Sequence, residues 1–240
     1  MSQETYDVVV LGAGNAAFCA ALAAQENGSS VIMIEAAPLE EAGGNSRYTA
    51  GAIRFAHEGL QDLTTVLDLN QDEIENADFG VYTTDQFYDD LFRLTQYRAD
   101  ADKAEMLVTK SLETVQWMKS RGVRFQPSYG RQAFKVDGKY RFWGGLCLEA
   151  VGGGKGLSDQ LFEIAEKQEI AVRYATTAVK LVVDDEGAVT GVVVKGPQGY
   201  EELPAKAVVL ACGGFLLADR SEALLEMFTP GVDLECWSTL

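Results

Sequence analysis

Residues whose types and spacing suit ligand chemistry begin at the twelfth position of the chain. Gly12, Gly14 and Ala17 form a G-x-G-x-x-A pattern, and Glu35 follows Gly14 by 21 residues. In this pattern the first glycine permits a tight turn from strand to helix, the second lets backbone approach a pyrophosphate, and the small third residue allows close packing. A carboxylate at position 35 can accept hydrogen bonds from ribose hydroxyls and would repel the 2′-phosphate of NADP. The spacing predicts dinucleotide binding, with tight packing alone as the alternative.

A second group of glycines and short polar side chains lies in EEAGGNSRYTAGAIRFA, residues 40–56. Glycines allow a ligand to approach the backbone closely, and the side chains of Asn45, Ser46 and Thr49 can form hydrogen bonds. The second stretch could therefore bind a ligand, and its pattern leaves open whether both stretches address the same one.

The elements that must position these residues form a strand, helix, strand unit. YDVVVL, residues 6–11, is an apolar run without alternation, which is typical of a parallel strand covered on both faces. The helix that follows ends near Gly28, and VIMI, residues 31–34, is a second buried strand. A turn between such a strand and helix presents N–H groups at a helix N-terminus, where the macrodipole favours an anion. The fold class predicted is α/β, Rossmann-like, with a central parallel sheet.

The middle of the chain is predicted to be helical after a polar connection. Residues 58–80 show little periodicity, which predicts mobile surface structure. Two amphipathic helices follow in TTDQFYDDLFRLTQ and DKAEMLVTKSLETVQWMKSRG. The first is expected to be capped by Thr84 or Asp85, and the second to end at Gly122.

The last third of the chain returns to strands. The glycine cluster of AVGGGKGLSDQL introduces a helix with apolar residues at 157, 161, 164 and 165. Residues 171–203 have the short β-rich runs and turn signals of an antiparallel meander, and KAVVLACGGF is one more buried strand. A final helix is expected within ADRSEALLEMFTPGVDLECWSTL.

The composition excludes several classes of function. The 240 residues carry a formal net charge of −16, which repels nucleic acid and anionic membrane surfaces. No apolar run approaches the roughly 20 residues needed to cross a bilayer, and the N-terminus lacks the features of a signal peptide. Four cysteines without C-x-x-C spacing and a single histidine give no zinc site. We expect a cytoplasmic protein with free thiols and no metal.

Positive charges are concentrated in residues 129–145. Arg131, Lys135, Lys139 and Arg141 stand there against a single acidic residue. Both a solvated hairpin rim and an anion-binding wall beside a ligand pocket are consistent with this cluster.

Five blocks of sequence, taken in order, carry a family resemblance. They are DVVVLGAGNAA, IEAAP, GGNSRYTAG, GGGKGLSDQL and AVVLACGGF, and together they span nearly the whole chain. Their order resembles the fumarate reductase and succinate dehydrogenase flavoprotein superfamily, whose FAD domain also occurs in 3-ketosteroid dehydrogenases. Within it, the NAAFCAAL helix followed by GGNSR looks most like the tricarballylate dehydrogenase group. The resemblance implies that residues 1–240 are an FAD-binding domain with a helical excursion at about 58–145.

The resemblance also implies roles for particular positions. The first turn would cradle the pyrophosphate of FAD, Glu35 and Ala36 would hold the adenosine ribose, and the second glycine-rich stretch would run under the isoalloxazine. Ala178 and Val179 would offer backbone to the adenine, and residues 211–213 would pack on the adenosine side. The cofactor-binding residues implied are Gly12, Ala13, Gly14, Asn15, Ala16, Glu35, Ala36, Gly43, Gly44, Asn45, Ser46, Thr49, Ala50, Gly51, Ala178, Val179, Ala211, Cys212 and Gly213.

Two departures from the family pattern bear on the cofactor site. Membrane-bound relatives carry a histidine, covalently attached to FAD, at the position of Asn45, and asparagine cannot form that bond. The resemblance therefore implies noncovalent FAD. Cys212 stands where threonine or serine is common, and we expect a buried cysteine, with a reactive thiol as the alternative.

The reaction implied by the resemblance is hydride transfer between flavin N5 and a C–H bond of a small polycarboxylate such as tricarballylate. An electron acceptor protein or a quinone would be a partner. The candidate substrate-binding residues are Arg54, His57 and Arg131, and a packing or surface role is the alternative for His57. The sequence assigns no general acid or base, so no catalytic residue is predicted.

Other functions stay open on the sequence alone. The alternatives are a fumarate reductase-like or 3-ketosteroid dehydrogenase-like enzyme and a noncatalytic FAD-binding module or subunit. The GGNS block and the meander argue against an NAD-dependent enzyme. We expect the family's capping and substrate domain to be absent from this chain, as in a fragment, a natural short form, or a protein whose remainder is another chain.

Overall fold

The structure, a computed structural model, describes residues 5–214, so the helix expected in the last 25 residues lies outside the described residues. The chain forms two compact units. Unit one comprises residues up to Tyr48 and from Leu161 onward, and unit two runs from Thr49 to Gln160. In chain order the elements are β1 (Tyr6–Leu11), α1 (Asn15–Glu26), β2 (Val31–Ile34), two 3-10 helices (Leu39–Glu41 and Gly44–Tyr48), β3 (Ala52–Ile53), α2 (Leu60–Val66), α3 (Gln71–Asn76), β4 (Ala77–Asp78), α4 (Thr84–Leu94), α5 (Ala101–Arg121), β5 (Phe125–Pro127), α6 (Tyr129–Gln132), β6 (Ala133–Val136), β7 (Lys139–Phe142), β8 (Leu148–Ala150), α7 (Gly153–Lys167), β9 (Ala171–Arg173), β10 (Thr177–Val183), β11 (Val189–Gly196) and β12 (Gly199–Leu210).

Unit one is built on a six-stranded sheet in the order β10-β11-β12-β1-β2-β9. Strand β1 lies between two parallel neighbours, with Val8 opposite both Val31 of β2 and Ala207 of β12. This central position explains why β1 is apolar on both faces. The predicted α/β class with a central, mostly parallel sheet is confirmed. The core of this sheet consists of Val9, Leu11, Ile32, Ile34, Val192, Val194, Leu203 and Ala205.

Helix α1 has the extent that the sequence predicts. It buries Ala17, Phe18, Ala21 and Leu22 and ends two residues before Gly28, whose positive φ of 80° suits the reversal after a helix. The small side chains of α1 let the helix lie close to the strands beside it.

The predicted meander is partly wrong. Strands β10, β11 and β12 do pair antiparallel, but β9 pairs parallel with β2 at the edge of the central sheet. The meander's last strand and the buried strand after it are one continuous strand, β12. Its first half pairs with β11 and its second half pairs with β1, which joins the hairpin to the parallel ladder.

Unit two contains helices and two three-stranded sheets, ordered β3-β8-β5 and β4-β7-β6. Helices α4 and α5 confirm the two amphipathic predictions, and Gly122 ends α5 with a left-handed φ of 110°. The N-cap of α4 is Thr83, which lies one residue before Thr84 and two before Asp85, because its side chain and that of Gln86 form a capping box.

Residues 58–80 are more ordered than the sequence pattern indicates. The structure places α2, α3 and β4 in this connection, three elements that the weak periodicity does not predict. Helix α3 begins at a capping box between Asn70 and Glu73. Within residues 5–214 no helix is both long and apolar enough to cross a membrane.

Candidate functional site

In unit one, the turn after β1 requires glycine at position 12. Gly12 has a φ of 113°, and its N–H donates to the Ile34 carbonyl at 2.7 Å. A Cβ on Gly12 would lie 2.5 Å from the carbonyl oxygen of Ala211. Backbone of β1, β2 and the end of β12 therefore meets here with no room for a side chain.

The start of α1 has the chemistry of an anion cradle. Gly14 is the N-cap and supplies no side-chain bond, the first turn contains no acidic residue, and Phe18 is the first residue whose amide bonds within the helix. The N–H groups before Phe18 are thus not used inside the helix, and the helix dipole favours a negative group there. Ala16 is exposed and adds only a methyl group. These features fit a diphosphate.

The two glycine-rich stretches meet in unit one. The amide of Asn15 donates to Ser46 Oγ at 3.1 Å. A Cβ on Gly14 would lie 3.6 Å from the same Oγ and 3.7 Å from the carbonyl oxygen of Gly43. Asn45 is exposed beside this contact. The expectation that both stretches address one ligand is consistent with this arrangement.

Glu35 lies where the sheet ends beside the cradle. Its side chain is 9% exposed, and Oε1 accepts from the amide of Ala37 at 2.8 Å. Its backbone continues the ladder, since its N–H donates to Arg173 and its carbonyl accepts from Thr176. The carboxylate is thereby held at the edge where a ribose of a dinucleotide would lie, and Ala36 is exposed next to it.

A β-bulge lies at the positions predicted to face adenine. The register passes from Ala178 opposite Val194 to Lys180 opposite Val193, so Val179 is the extra residue. A bulged residue is left outside the ladder, and its backbone groups can serve a ligand. No pattern in the sequence indicates the bulge itself.

Residues 211–213 follow β12 at the carboxyl end of the parallel sheet. The amide of Ala211 donates to the Leu11 carbonyl at 2.9 Å, which continues the pairing of β12 with β1. Cys212 and Gly213 are exposed, so the expectation of a buried Cys212 is wrong. Strand β12 ends at Leu210, so no strand neighbour within residues 5–214 pairs with the cysteine.

In unit two, the segment Thr49 to Gly51 is a tight backbone loop. Thr49 Oγ1 accepts from the amide of Gly51 at 3.1 Å, and Gly51 is buried with a φ of 72°. A Cβ on Gly51 would lie 2.5 Å from the carbonyl carbon of Gly153. The sequence pattern indicates Gly153 only as part of a helix start and does not predict this contact.

Arg54 has internal partners within unit two. Its Nη1 donates to the Tyr82 hydroxyl at 2.8 Å and lies 3.3 Å from Asp90 Oδ2. Hydrogen bonds from Arg93 and Tyr82 lower the pKa of Asp90, which keeps the carboxylate ionised beside the guanidinium. Arg54 therefore already has a hydroxyl and a carboxylate as partners, and it shares that carboxylate with Arg93.

His57 is a buried residue. It is 2% exposed, its Nδ1 accepts from the amide of Gly59 at 3.2 Å, and its Nε2 lies 3.7 Å from Cys147 Sγ. Because Nδ1 accepts, the neutral ring carries its proton on Nε2, toward the sulfur. Burial lowers the pKa of His57 and raises the pKa of Cys147 to about 12, so both groups are neutral at pH 7.

The basic cluster has the features of a solvated hairpin. Lys139 Nζ donates to the Glu75 carbonyl at 2.9 Å, Arg141 lies 3.8 Å from Asp78, and Arg131 is exposed on α6.

Residues 5–214 contain no group of three or more His, Cys, Asp or Glu side chains that could hold a metal ion.

Comparisons with known proteins match these features. The family model described as an FAD binding domain matches residues 7–236. A probable fumarate reductase of Shewanella frigidimarina is 33% identical over 88% of this chain and 33% of its own length. The vinyl phenol reductase of Lactiplantibacillus plantarum is 32% identical over 89% of this chain and 38% of its own length. The chain thus spans about a third of the length of these curated relatives.

Solved structures agree on the fold. The open conformation of a flavocytochrome c3 fumarate reductase is similar with a TM-score of 0.65 and 31% identity, over 88% of this chain and 34% of that one. A 3-ketosteroid-Δ4-(5α)-dehydrogenase from Rhodococcus jostii has a TM-score of 0.66 at 22% identity, over 90% of this chain and 47% of that one. At this lower identity the likeness concerns the fold alone.

Proposed function

Because this chain belongs to the FAD binding domain family, within the fumarate reductase and succinate dehydrogenase flavoprotein superfamily, we propose that it binds FAD noncovalently as part of an oxidoreductase. The observation that carries this proposal is the anion cradle at the start of α1, which Ser46 of the second glycine-rich stretch contacts through Asn15. FAD binding is the property of the family. The noncovalent attachment and the activity are our inferences.

The residues of unit one would hold the nucleotide half of FAD. The N–H groups of Gly14 and Ala16 would bind the diphosphate, beside the Asn15 amide that Ser46 holds, and Glu35 would accept from the ribose hydroxyls. The bulge at Val179 would offer backbone to adenine. In unit two, the loop from Thr49 to Gly51 would face the isoalloxazine. When bound, FAD supplies the N5 position that accepts or donates a hydride.

The absence of a covalent bond to FAD is inferred from Asn45. This residue is exposed within the second glycine-rich stretch, and an amide nitrogen is not a nucleophile that could link to the flavin. FAD is then held only by hydrogen bonds and packing, and it should leave when the protein unfolds.

The substrate class is inferred from what similar proteins are named for. Relatives include fumarate reductases, a vinyl phenol reductase, a urocanate reductase of Eggerthella lenta and an NADH:acrylate oxidoreductase of Vibrio harveyi. The compounds in these names share a carbon–carbon double bond conjugated to an activating group. We propose a small unsaturated or saturated acid as the substrate of the whole protein, and the GGNSR block supports a tricarboxylate such as tricarballylate within that class.

The setting of the reaction is part of the same proposal. A protein or a quinone would exchange electrons with the flavin. A reducing, cytoplasmic location is supported by the free cysteines Cys19, Cys147 and Cys212. We assign no catalytic residue, since Arg54 and His57 both have internal partners.

A spectrum of the purified chain tests the cofactor proposal. We expect a yellow protein, or one that becomes yellow with added FAD, and we expect acid precipitation to leave the flavin in the supernatant. A chain that stays colourless with excess FAD contradicts FAD binding. Flavin that remains in the pellet contradicts only the noncovalent attachment.

Anaerobic reoxidation tests the activity. The bound flavin is reduced with dithionite, and fumarate, urocanate, acrylate or vinyl phenol is added, with free reduced FAD as the control. Tricarballylate is added to the oxidised protein instead, where a dehydrogenase would bleach the flavin. A protein whose flavin responds to none of these compounds would be a passive binder, and the oxidoreductase proposal would fail for this chain.

A further inference from the structure

The first turn of α7 lies directly against the loop from Thr49 to Gly51, within unit two. The amide of Gly154 donates to the Thr49 carbonyl at 3.0 Å. The amide of Ala150, just before this turn, donates to the Gly51 carbonyl at 2.8 Å. The loop is therefore fixed from both sides by backbone hydrogen bonds to a single short segment.

Between these bonds the two backbones touch without a side chain. A Cβ on Gly51 would lie 2.5 Å from the carbonyl carbon of Gly153 and 2.7 Å from its oxygen. A Cβ on Gly153 would lie 3.4 Å from the carbonyl oxygen of Ala50. Both glycines have left-handed φ values, 72° and 68°, so alanine is unfavourable at either position for conformation as well as for space.

Gln160 fixes the turn that makes this contact. Its side chain is 6% exposed, and its Nε2 donates to the carbonyls of Val151 at 3.1 Å and Gly156 at 3.0 Å. Its Oε1 accepts from the amide of Arg124 at 2.7 Å. A carboxylate in place of this amide could accept from Arg124 but could not donate to either carbonyl. The buried amide thus sets the position of residues 151–156.

We propose that Gly153 and Gln160 are positioning residues for the flavin, because they set where the Thr49 to Gly51 backbone stands. This inference rests on the proposed function, in which that loop faces the isoalloxazine. The glycine cluster at the start of α7 then serves as a backbone support for the loop and does not bind a ligand itself. A shift of the loop by less than an ångström changes its contacts with a ring while leaving the nucleotide half of the cofactor held as before.

Two ligands that differ in the riboflavin part test this proposal. FAD and ADP share the adenosine and diphosphate, and ADP lacks the ribityl chain and the isoalloxazine. The affinity of the purified chain for each is measured by titration in the variants Gly153→Ala and Gln160→Glu. We expect the Kd for FAD to rise about tenfold or more. The Kd for ADP should stay within about twofold of that of the wild type. The visible band of the remaining bound flavin should shift as well.

Matched controls come from the same unit. A Cβ on Gly130 would meet no atom within 4 Å, and this glycine has no left-handed φ, so Gly130→Ala should change neither affinity. Gln61 is exposed, and Gln61→Glu should likewise leave the Kd values for FAD and ADP unchanged.

The outcomes separate this inference from the proposed function. A wild-type chain that binds no FAD contradicts the proposed function itself. If the wild type binds FAD, equal affinities for FAD in all four variants overturn the positioning role. A parallel loss of FAD and ADP binding overturns it too, since the two residues would then support only the folding of the chain. Selective loss of FAD affinity in either variant supports the inference.

Discussion

Replacing Gly12 and Gly14 separately by alanine tests whether the two glycines of the first turn have different physical roles. A Cβ at Gly12 would lie 2.5 Å from the Ala211 oxygen and 3.1 Å from the Cα of Cys212, and the φ of Gly12 is 113°. Gly14 has a φ of −84°, and its Cβ would meet only Ser46 Oγ, at 3.6 Å, and the Gly43 oxygen, at 3.7 Å. The first position therefore lacks both space and conformational freedom for alanine, and the second lacks neither.

The expected magnitudes differ accordingly. A left-handed φ costs a non-glycine residue about 1–2 kcal/mol. Overlap with backbone that cannot move freely costs about 1–3 kcal/mol more. Gly12→Ala should thus lower the free energy of unfolding by about 2–5 kcal/mol. Gly14→Ala replaces one N-cap residue by a poorer one and should cost less than about 1 kcal/mol.

Gly14→Ala should change the affinity for FAD more than it changes the stability of the fold. Its new methyl group would stand in the anion cradle beside Ser46, where we propose that the diphosphate lies, so it should weaken FAD binding without weakening the fold. Urea unfolding followed by circular dichroism measures stability, and titration with FAD measures affinity. A Gly12→Ala protein as stable as the wild type would refute the steric reasoning. A Gly14→Ala protein with unchanged FAD affinity would refute the placement of the diphosphate.

Three further predictions concern single side chains. Ser46→Ala should raise the Kd for FAD about tenfold, because the group that accepts from Asn15 beside the cradle is lost, and Ser46→Thr should restore most of the affinity in the same titration. His57 is the only histidine, and burial lowers its pKa in the folded state, so the unfolded chain takes up the proton first and the unfolding free energy should fall as the pH drops below about 6.5. His57→Gln should flatten that dependence in urea unfolding curves, and an unchanged slope would contradict the assignment. Asn70→Ala should cost about 1 kcal/mol and speed amide exchange in α3, whereas a mutant with unchanged exchange would contradict the role of the capping box.

The elements that we propose hold the nucleotide half of FAD could be predicted because their signals are local. Strand β1 is apolar without alternation, Gly12 and Gly14 have the spacing of a tight turn, and Gly28 ends the helix. Each of these signals depends on residues a few positions apart, which is the range over which backbone conformation is determined.

Features that depend on distant pairing could not be predicted in the same way. Ala171 to Arg173 looks like the start of a meander, and only its partner β2 reveals a parallel edge strand. The bulge at Val179 is likewise a property of the register with β11 and leaves no mark in the sequence around it. Helix α3 is a different case, because its start has a local signal. Asn70 and Glu73 have capping-box spacing, but the helix is almost entirely polar and shows no hydrophobic periodicity.

Among the site residues, too, residue types could be predicted from the sequence, but contacts between distant residues could not. The family resemblance implies that Asn15 and Ser46 bind one cofactor, but the hydrogen bond between them is known only from the structure. The contact of Gly51 with Gly153 joins residues about a hundred positions apart, and no local pattern indicates it. Arg54 has the residue type that binds carboxylates, and only the structure reveals that it already contacts Tyr82 and Asp90.

Strand β12 limits how the sequence of this chain can diverge. Residues from Gly199 to Pro204 pair with β11, and residues from Ala205 to Leu210 pair with β1, so one strand holds the register of both ladders at once. Loss or gain of one residue inside it would turn every later side chain to the opposite face and would move Ala211 away from Gly12. Evolution in this segment can therefore exchange side chains, but insertions and deletions should be confined to positions outside the strand.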